Sequence, residues 1–518
     1  MVYQNVCFRV AKMAKVAKRA SSLEIVHHPC TISRTMSLAR SAAVARPPSA
    51  ALAAVVVGLV VALLVGFSSP LLASTVLLGV TLALAILRWP TLSLFGLVAL
   101  AYLLPFAVIP FRIGVQLTML DAVLLLGYGS ALARSAVRRT PIRLGTVGRL
   151  LVVLVGLMAL AHLLSLPYAG GVDLTRKVLK LFAAMLVFVL ALNLIEGRQT
   201  LARVMQAIVL AAALESALGV ALYLAPRDLV VRLLSTLRVV GYPSGPDVLR
   251  FLPGENDTYS DILRATSTSL DPNVLGGVLM LAAAIALAQL FGPKPLLPRP
   301  VLAASSLLTV ACMLMTHSRS SWVGLTVALA GLAIVRYRRI WLIAVPTAVV
   351  VLATPPGRAL LSRVLSGFAG QDRAASMRLD EYRNALEIIQ QAPLLGIGFG
   401  APPSIDLAPG VSSMYLTIAE TSGLPALLLF LLAMGALLLR ARQAQEAAPD
   451  ETLGGALVSL QTAIVAALVA GLFDHYFSSA VFFHTVALFW LLCGLVWSAA
   501  GMAASGRNGQ AVRSVARL

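Results

Sequence analysis

Apolar residues gather along this chain in blocks that polar stretches separate. A helix rises about 1.5 Å per residue and the hydrocarbon core of a bilayer is about 30 Å thick, so an apolar block of about 17 to 25 residues predicts a membrane-spanning helix. Fourteen such blocks are visible, at approximately 51–67, 71–87, 92–110, 116–133, 150–166, 178–195, 204–224, 273–291, 301–317, 320–335, 340–354, 412–439, 456–473 and 480–499. The predicted fold is all-α, a polytopic transmembrane helical bundle of 12 to 14 spans. Ser68, Ser69 and Pro70 join the first two blocks in a tight hairpin. Two polar stretches, 225–272 and 355–411, are much longer than the others. They divide the chain into a basic tail (1–50), N-terminal transmembrane helices (51–224), a first long loop, central transmembrane helices (273–354), a large second loop, C-terminal transmembrane helices (412–500) and a second basic tail (501–518).

The placement of charge orients this bundle. There are 41 Lys and Arg against 21 Asp and Glu, a net charge of +20, which in a soluble protein would point to nucleic acid. With 59% hydrophobic residues, 12% charged and a mean hydropathy of +0.90, a soluble enzyme is excluded and the charge belongs to membrane topology. If the N-terminus is cytoplasmic, 26 of the 41 basic residues fall in cytoplasmic tails and short turns, and ten of the other 15 fall in the two long loops, which the positive-inside rule discounts. Both termini are therefore expected inside and both long loops outside. Fifteen of the 21 acids lie on the outer side, and one, Glu215, sits in mid-helix. Long loops on one side only make that side the working surface. Translation from Met1 and from Met36 both leave a positive flank before the first span. Cys7 and Cys30 lie in the tail and Cys312 and Cys493 in apolar blocks, so no disulfide is expected.

The polar joints carry the candidate chemistry. In "RATSTSLDPNVLGGVLML", Arg264 precedes an Asp271-Pro272-Asn273 helix start, where Asp271 suits a cap and Pro272 the first turn. "MTHSRSSWVGL" sets Arg319 in a tight outer turn after His317. "SMRLDEYRNALEIIQQAPLLGIGFG" predicts an amphipathic surface helix with Leu379, Tyr382, Leu386 and Ile389 on its apolar face, Ser376 as cap and Pro393 as terminator. Gly396, Gly398 and Gly400 imitate a nucleotide loop but follow a helix rather than a strand, and nucleotide binding is discounted. In "SSMYLTIAETSGLPALLLFLL", Gly423 and Pro425 interrupt a long helix that carries Glu420.

Taken in order, these four motifs resemble the O-antigen ligase and O-antigen polymerase family, over residues from about 180 to 440. The resemblance implies an integral glycosyltransferase of surface polysaccharide biosynthesis in the bacterial cytoplasmic (inner) membrane. Such an enzyme moves an undecaprenyl-diphosphate-linked glycan to a glycan, lipid or protein acceptor at the outer face, with no cofactor, no metal and no nucleic acid. Polymerase and ligase share donor and chemistry and differ in the acceptor. A leaving diphosphate suits the planar fork of arginine, which selects Arg264, Arg319, Arg378 and Arg176, with Lys180 beside the last. Where the family carries His-Asn at the head of the twelfth span, this chain has Ser412-Ser413, and serine is no general base at neutral pH. Glu420, which matches the family's glutamate, is the first candidate for the base, followed by Asp406 in the preceding loop and His475 beside Asp474. A transporter or flippase of lipid-linked oligosaccharide is the rival reading. Transporters place charge near the midplane, where Glu215 is the clear example here.

Overall fold

Lipid offers no hydrogen-bond partner to a peptide group, so an apolar block crosses it only as a helix that satisfies its own backbone. The computed structural model describes residues 70–109, 117–167, 171–253, 259–355, 357–358, 361–362, 365, 373–400, 410–446, 448 and 450–515. Its helices are α1 (Pro70–Arg88), α2 (Leu92–Leu103), α3 (Met119–Arg138), α4 (Gly145–Ser165), α5 (Val172–Leu194), α6 (Arg198–Leu224), α7 (Arg227–Thr236), α8 (Pro272–Phe291), α9 (Arg299–Met315), α10 (Arg319–Val335), α11 (Arg339–Ala353), α12 (Arg373–Gln391), α13 (Met414–Glu446), α14 (Glu451–Ala470) and α15 (Phe483–Val515). A two-stranded antiparallel hairpin, β1 (Arg250–Pro253) and β2 (Tyr259–Arg264), interrupts the all-α pattern between α7 and α8. The chain divides into two units, Met1–Val80 and Thr81–Leu518; of the first, the described part is the opening of α1.

Among the described residues, eight helices are long and apolar enough to cross a membrane: α3, α4, α5, α6, α8, α13, α14 and α15 as far as Ser505. This is an integral membrane protein. Four further apolar helices, α2, α9, α10 and α11, are shorter, of 12 to 17 residues, and block 51–67 lies outside the described residues, so the expected 12 to 14 spans are matched only in part. Block 92–110 shows why apolar runs overstate helices: α2 stops at Leu103 because Pro105 restricts Leu104 to non-helical backbone.

Contacts sort the helix ends into two faces. On one, the turn face, Arg134 of α3 pairs with Glu196 after α5 at 2.9 Å, Arg198 pairs with Asp450, and Lys294 pairs with Glu451 at 3.6 Å. Gly145 opens α4 at φ +63, and a Cβ there would stand 2.5 Å from the indole nitrogen of Trp497, so only glycine fits. On the other, the loop face, lie the described parts of both long polar segments, joined to the helix ends by bonds such as Val108 N–H to Val240 O (2.9 Å) and the Tyr382 hydroxyl to Leu472 O (2.9 Å). The centre is α8, buried on all sides, with α14 and α15 next to it. By contrast α11 buries Ile340 alone among its described side chains, the exposure expected of a helix whose solvent is lipid.

Candidate functional site

The first long segment ends by presenting Arg264. The hairpin pairs Arg250 with Arg264, and the chain then turns through a short 3-10 stretch, Ser267–Ser269, into α8. Asp271 caps that helix as expected, accepting from the amides of Asn273 (2.8 Å) and Val274 (3.0 Å), with Pro272 in the first turn. Half-buried Arg264 spans two elements: its Nε donates to Thr316 O (2.8 Å) after α9 and an Nη donates to Asn273 Oδ1 (2.6 Å) on α8.

The Thr316–Ser321 turn continues from that contact. Ser318 Oγ lies 3.2 Å from Ser320 Oγ and 3.0 Å from Ser321 Oγ, all three buried, and half-buried Arg319 stands between them at the start of α10. Ser320 donates to Asp474 Oδ2 (3.4 Å) and Ser321 Oγ lies 3.4 Å from the hydroxyl of Tyr476. Gly276 and Gly277 of α8 let this turn close, since Cβ atoms there would meet Ser318 Cβ at 2.8 Å and the Tyr476 ring at 2.4 Å. Asp474 is buried and its Oδ1 accepts from the amide of His475 (2.9 Å); the imidazole Nδ1 is 3.8 Å away. Burial pushes the Asp474 carboxyl above its ordinary range and nearby Asp271 adds to this, while His475, Arg378 and the His475 amide pull the other way.

The second long segment contributes α12. Its buried face is Ala385, Ile388 and Ile389, while Met377, Leu379 and Leu386 remain 54%, 48% and 50% exposed, so the expected stripe of Leu379, Tyr382, Leu386 and Ile389 is corrected by rotation. The rotation has a polar cause. Tyr382 donates to the carbonyls of Ser412 (3.2 Å) and Leu472 (2.9 Å), and Glu381 accepts from the Ser412 amide (2.9 Å). These contacts fix α12 on the head of α13 and bring half-buried Arg378 within electrostatic reach of Asp474. The helix begins at Arg373, so Ser376 lies inside it rather than capping it.

After α12 the glycine-rich stretch folds back along α13. Leu424 N–H bonds to Pro393 O (2.8 Å), Ile397 N–H to Glu420 O (2.9 Å) and Gly398 N–H to Thr421 O (3.0 Å). Gly423 (φ +83, ψ 168) kinks α13 there, and a Cβ on it would lie 2.2 Å from Leu394 O. Glu420 is buried at this junction and its Oε1 accepts from the Gly410 amide (3.0 Å).

Of the residues chosen from sequence, Arg264 is linked through Thr316 and the Ser318–Ser320 hydroxyls to Asp474, which has His475 beside it and Arg378 within electrostatic reach, and Arg319 lies in the same turn. Glu420 instead ties the kink of α13 to the returning loop. Arg176 pairs with Asp173 one turn away on α5 (3.2 Å), and Lys180 is committed to Asp121 at 2.6 Å, with its ammonium 5.0 Å from the Phe483 ring centre. Asp406 lies outside the described residues. Asp474, which the sequence offered as the neighbour of His475, is the carboxylate that the Ser320 hydroxyl reaches. Among the described residues, no group of three His, Cys, Asp or Glu could hold a metal.

Residues 304–431 match the family model described as O-antigen ligase. Over that stretch the chain is similar to O-antigen ligases. The matched stretch runs from within α9 to the middle of α13, so it includes Arg319, Arg378 and Glu420. Arg264, Asp474 and His475 lie outside its bounds in sequence and are brought to it by α8 and by the joint between α14 and α15. No curated protein matches the chain.

Proposed function

We propose that this O-antigen ligase-type membrane protein is a glycosyltransferase that takes an undecaprenyl-diphosphate-linked glycan and moves it to an acceptor hydroxyl, with the loop face directed away from the cytoplasm. The observation that supports the reading is that three segments bearing half-buried arginines, Arg264, Arg319 and Arg378, meet near buried Asp474 on the loop face, Arg264 through Thr316, Arg319 in the serine turn that bonds Asp474, and Arg378 within its electrostatic reach. When the anomeric carbon parts from its diphosphate, negative charge grows on the leaving oxygens, and guanidinium groups at fixed positions stabilise that charge more than the ground state. The acceptor hydroxyl attacks the same carbon and must give up its proton.

Glu420 and Asp474 are the carboxylates offered for that proton. Glu420 lies within the matched domain, two turns below Ser412, at the mouth of the loop. Asp474 stands among the arginines with His475 beside it. The excess of basic residues on the turn face supports a cytoplasmic position for that face. Arg264→Lys and Arg319→Lys, assayed in membranes with lipid-linked glycan, should each lower transfer strongly while expression persists, because a fixed fork to a phosphate in a dry site contributes about 2 to 4 kcal/mol. Full glycan transfer by both variants would remove the diphosphate assignment.

A further inference from the structure

The most deeply buried acid among the described residues stands on a membrane-spanning helix, away from the residues around Asp474. Glu215 sits on α6, nine residues before its end at Leu224, and is fully buried. Facing it is the stretch that joins Arg264 to α8. Ala265, Thr266, Ser267, Thr268 and Ser269 are all buried there, and Ser267 (φ +49) and Leu270 (φ +58) hold left-handed backbone without being glycine. Such backbone persists only where its surroundings over-determine it. Irregular backbone enclosed in a membrane protein must also find partners on neighbouring elements.

Glu215 is that partner. Its Oε1 receives the amide of Thr268 (3.3 Å) and the hydroxyl of Thr268 (3.0 Å). One turn along the same face, Gly219 lets α9 close on α6, since a Cβ there would stand 2.6 Å from Cys312 Sγ, while Ser267 Cβ lies at ordinary contact distance, 3.6 Å. The two ends of the stretch are bridged by one guanidinium, because Arg264 bonds to Asn273 on the first turn of α8.

Building on the proposed function, we propose that Glu215 is a positioning residue for the lipid-diphosphate site. Through Thr268 it fixes the 265–270 turn, and the turn sets where Arg264 stands relative to Asn273 and Thr316. Its service is to accept hydrogen bonds, which a glutamine carbonyl can also do and alanine cannot. Without the acceptor, the amide of Thr268 is left buried with nothing to bond and its hydroxyl keeps only the longer contact to Tyr102 O (3.5 Å), a state the chain escapes by letting the turn relax.

The test uses the full chain in lipid nanodiscs with bare undecaprenyl diphosphate as the probe, together with amide exchange over residues 265–271. Glu215→Ala should weaken binding about tenfold and speed exchange in that segment, and Glu215→Gln should restore both to within about twofold of wild type. Arg264→Lys should also weaken binding about tenfold. The double variant Glu215→Ala/Arg264→Lys should stay near that level instead of reaching the hundredfold of independent effects. If Arg264→Lys binds weakly while Glu215→Ala binds like wild type, or if the two losses multiply, or if Glu215→Gln is as damaged as Glu215→Ala, this inference falls and the proposed function stands. A wild-type chain that does not bind the probe, or an Arg264→Lys variant that binds it normally, sinks the proposed function and this inference with it. Should Glu215→Ala fail to insert, Thr268→Val removes one of the two donors and should weaken binding about threefold; unchanged binding there overturns the inference.

Discussion

Replacing Gly423 with alanine asks how firmly the glycine-rich return is locked to the kink of α13. At φ +83 and ψ 168 the residue occupies backbone that side chains rarely adopt, so alanine carries a strain of about 1 to 3 kcal/mol before any contact is counted. The added Cβ would lie 2.2 Å from Leu394 O and 2.4 Å from its carbon, so the Pro393–Gly398 stretch must retreat. Three backbone hydrogen bonds hold that stretch, at 2.8, 2.9 and 3.0 Å, each with a net contribution near 1 kcal/mol. Losing one to three of them brings the total to about 2 to 6 kcal/mol. Gly435 supplies the control on the same helix: nothing lies within 4 Å of a Cβ there, and Gly435→Ala should be neutral or stabilising by up to about 1 kcal/mol. Thermal unfolding of the purified proteins in one detergent, followed by glycan transfer in membranes, reads both effects. The reasoning is refuted if Gly423→Ala unfolds at the same temperature as Gly435→Ala and transfers glycan normally.

Three further outcomes are expected. In spheroplasts, a membrane-impermeant maleimide should label Asp261→Cys on the hairpin but reach Lys294→Cys on the turn face only after permeabilisation, and the opposite order would invert the topology. Glu420→Gln keeps an acceptor for the Gly410 amide but loses basicity, so the protein should fold normally while transfer drops by about a hundredfold or more if Glu420 takes the proton; full activity would leave Asp474 as the candidate. Because burial raises the Asp474 carboxyl above its unfolded value, its contribution to stability is complete below the unfolded pKa and is lost as pH rises through the raised one. Asp474→Asn should abolish that pH dependence of unfolding, and an unchanged slope would show that the carboxyl is not displaced.

The spans were legible because lipid imposes a single solution on a long apolar block, and the joints were legible where cap chemistry is local, as at Asp271-Pro272. What escaped was decided by distant partners. Nothing near Lys180 in sequence announces Asp121, the partner its ammonium takes on α3. The apolar spacing of α12 favoured Leu379 and Leu386, whereas the bonds of Glu381 and Tyr382 to the head of α13 chose another face. Asp474 reads as a surface acid until its neighbours, drawn from α8, α10 and α12, are assembled around it. The hairpin that delivers Arg264 also has too few residues to register against the surrounding helical pattern.

The fit between α5 and α15 bears on how the chain is assembled. Phe188 meets the edges of Trp490 and Trp497, and a Cβ on Gly494 would stand only 2.7 Å from Ala191 Cβ, so the inner side of an early helix is completed by the last one. During synthesis α5 leaves the ribosome long before α15 exists. Its inner side is apolar, so acyl chains can occupy that surface without penalty until the final helix displaces them. Insertion can thus proceed hairpin by hairpin, with the centre of the bundle closing only when translation ends. A nonsense mutation shortly before residue 483 would therefore cost more than one helix: it would leave every earlier segment inserted yet the bundle without its keystone.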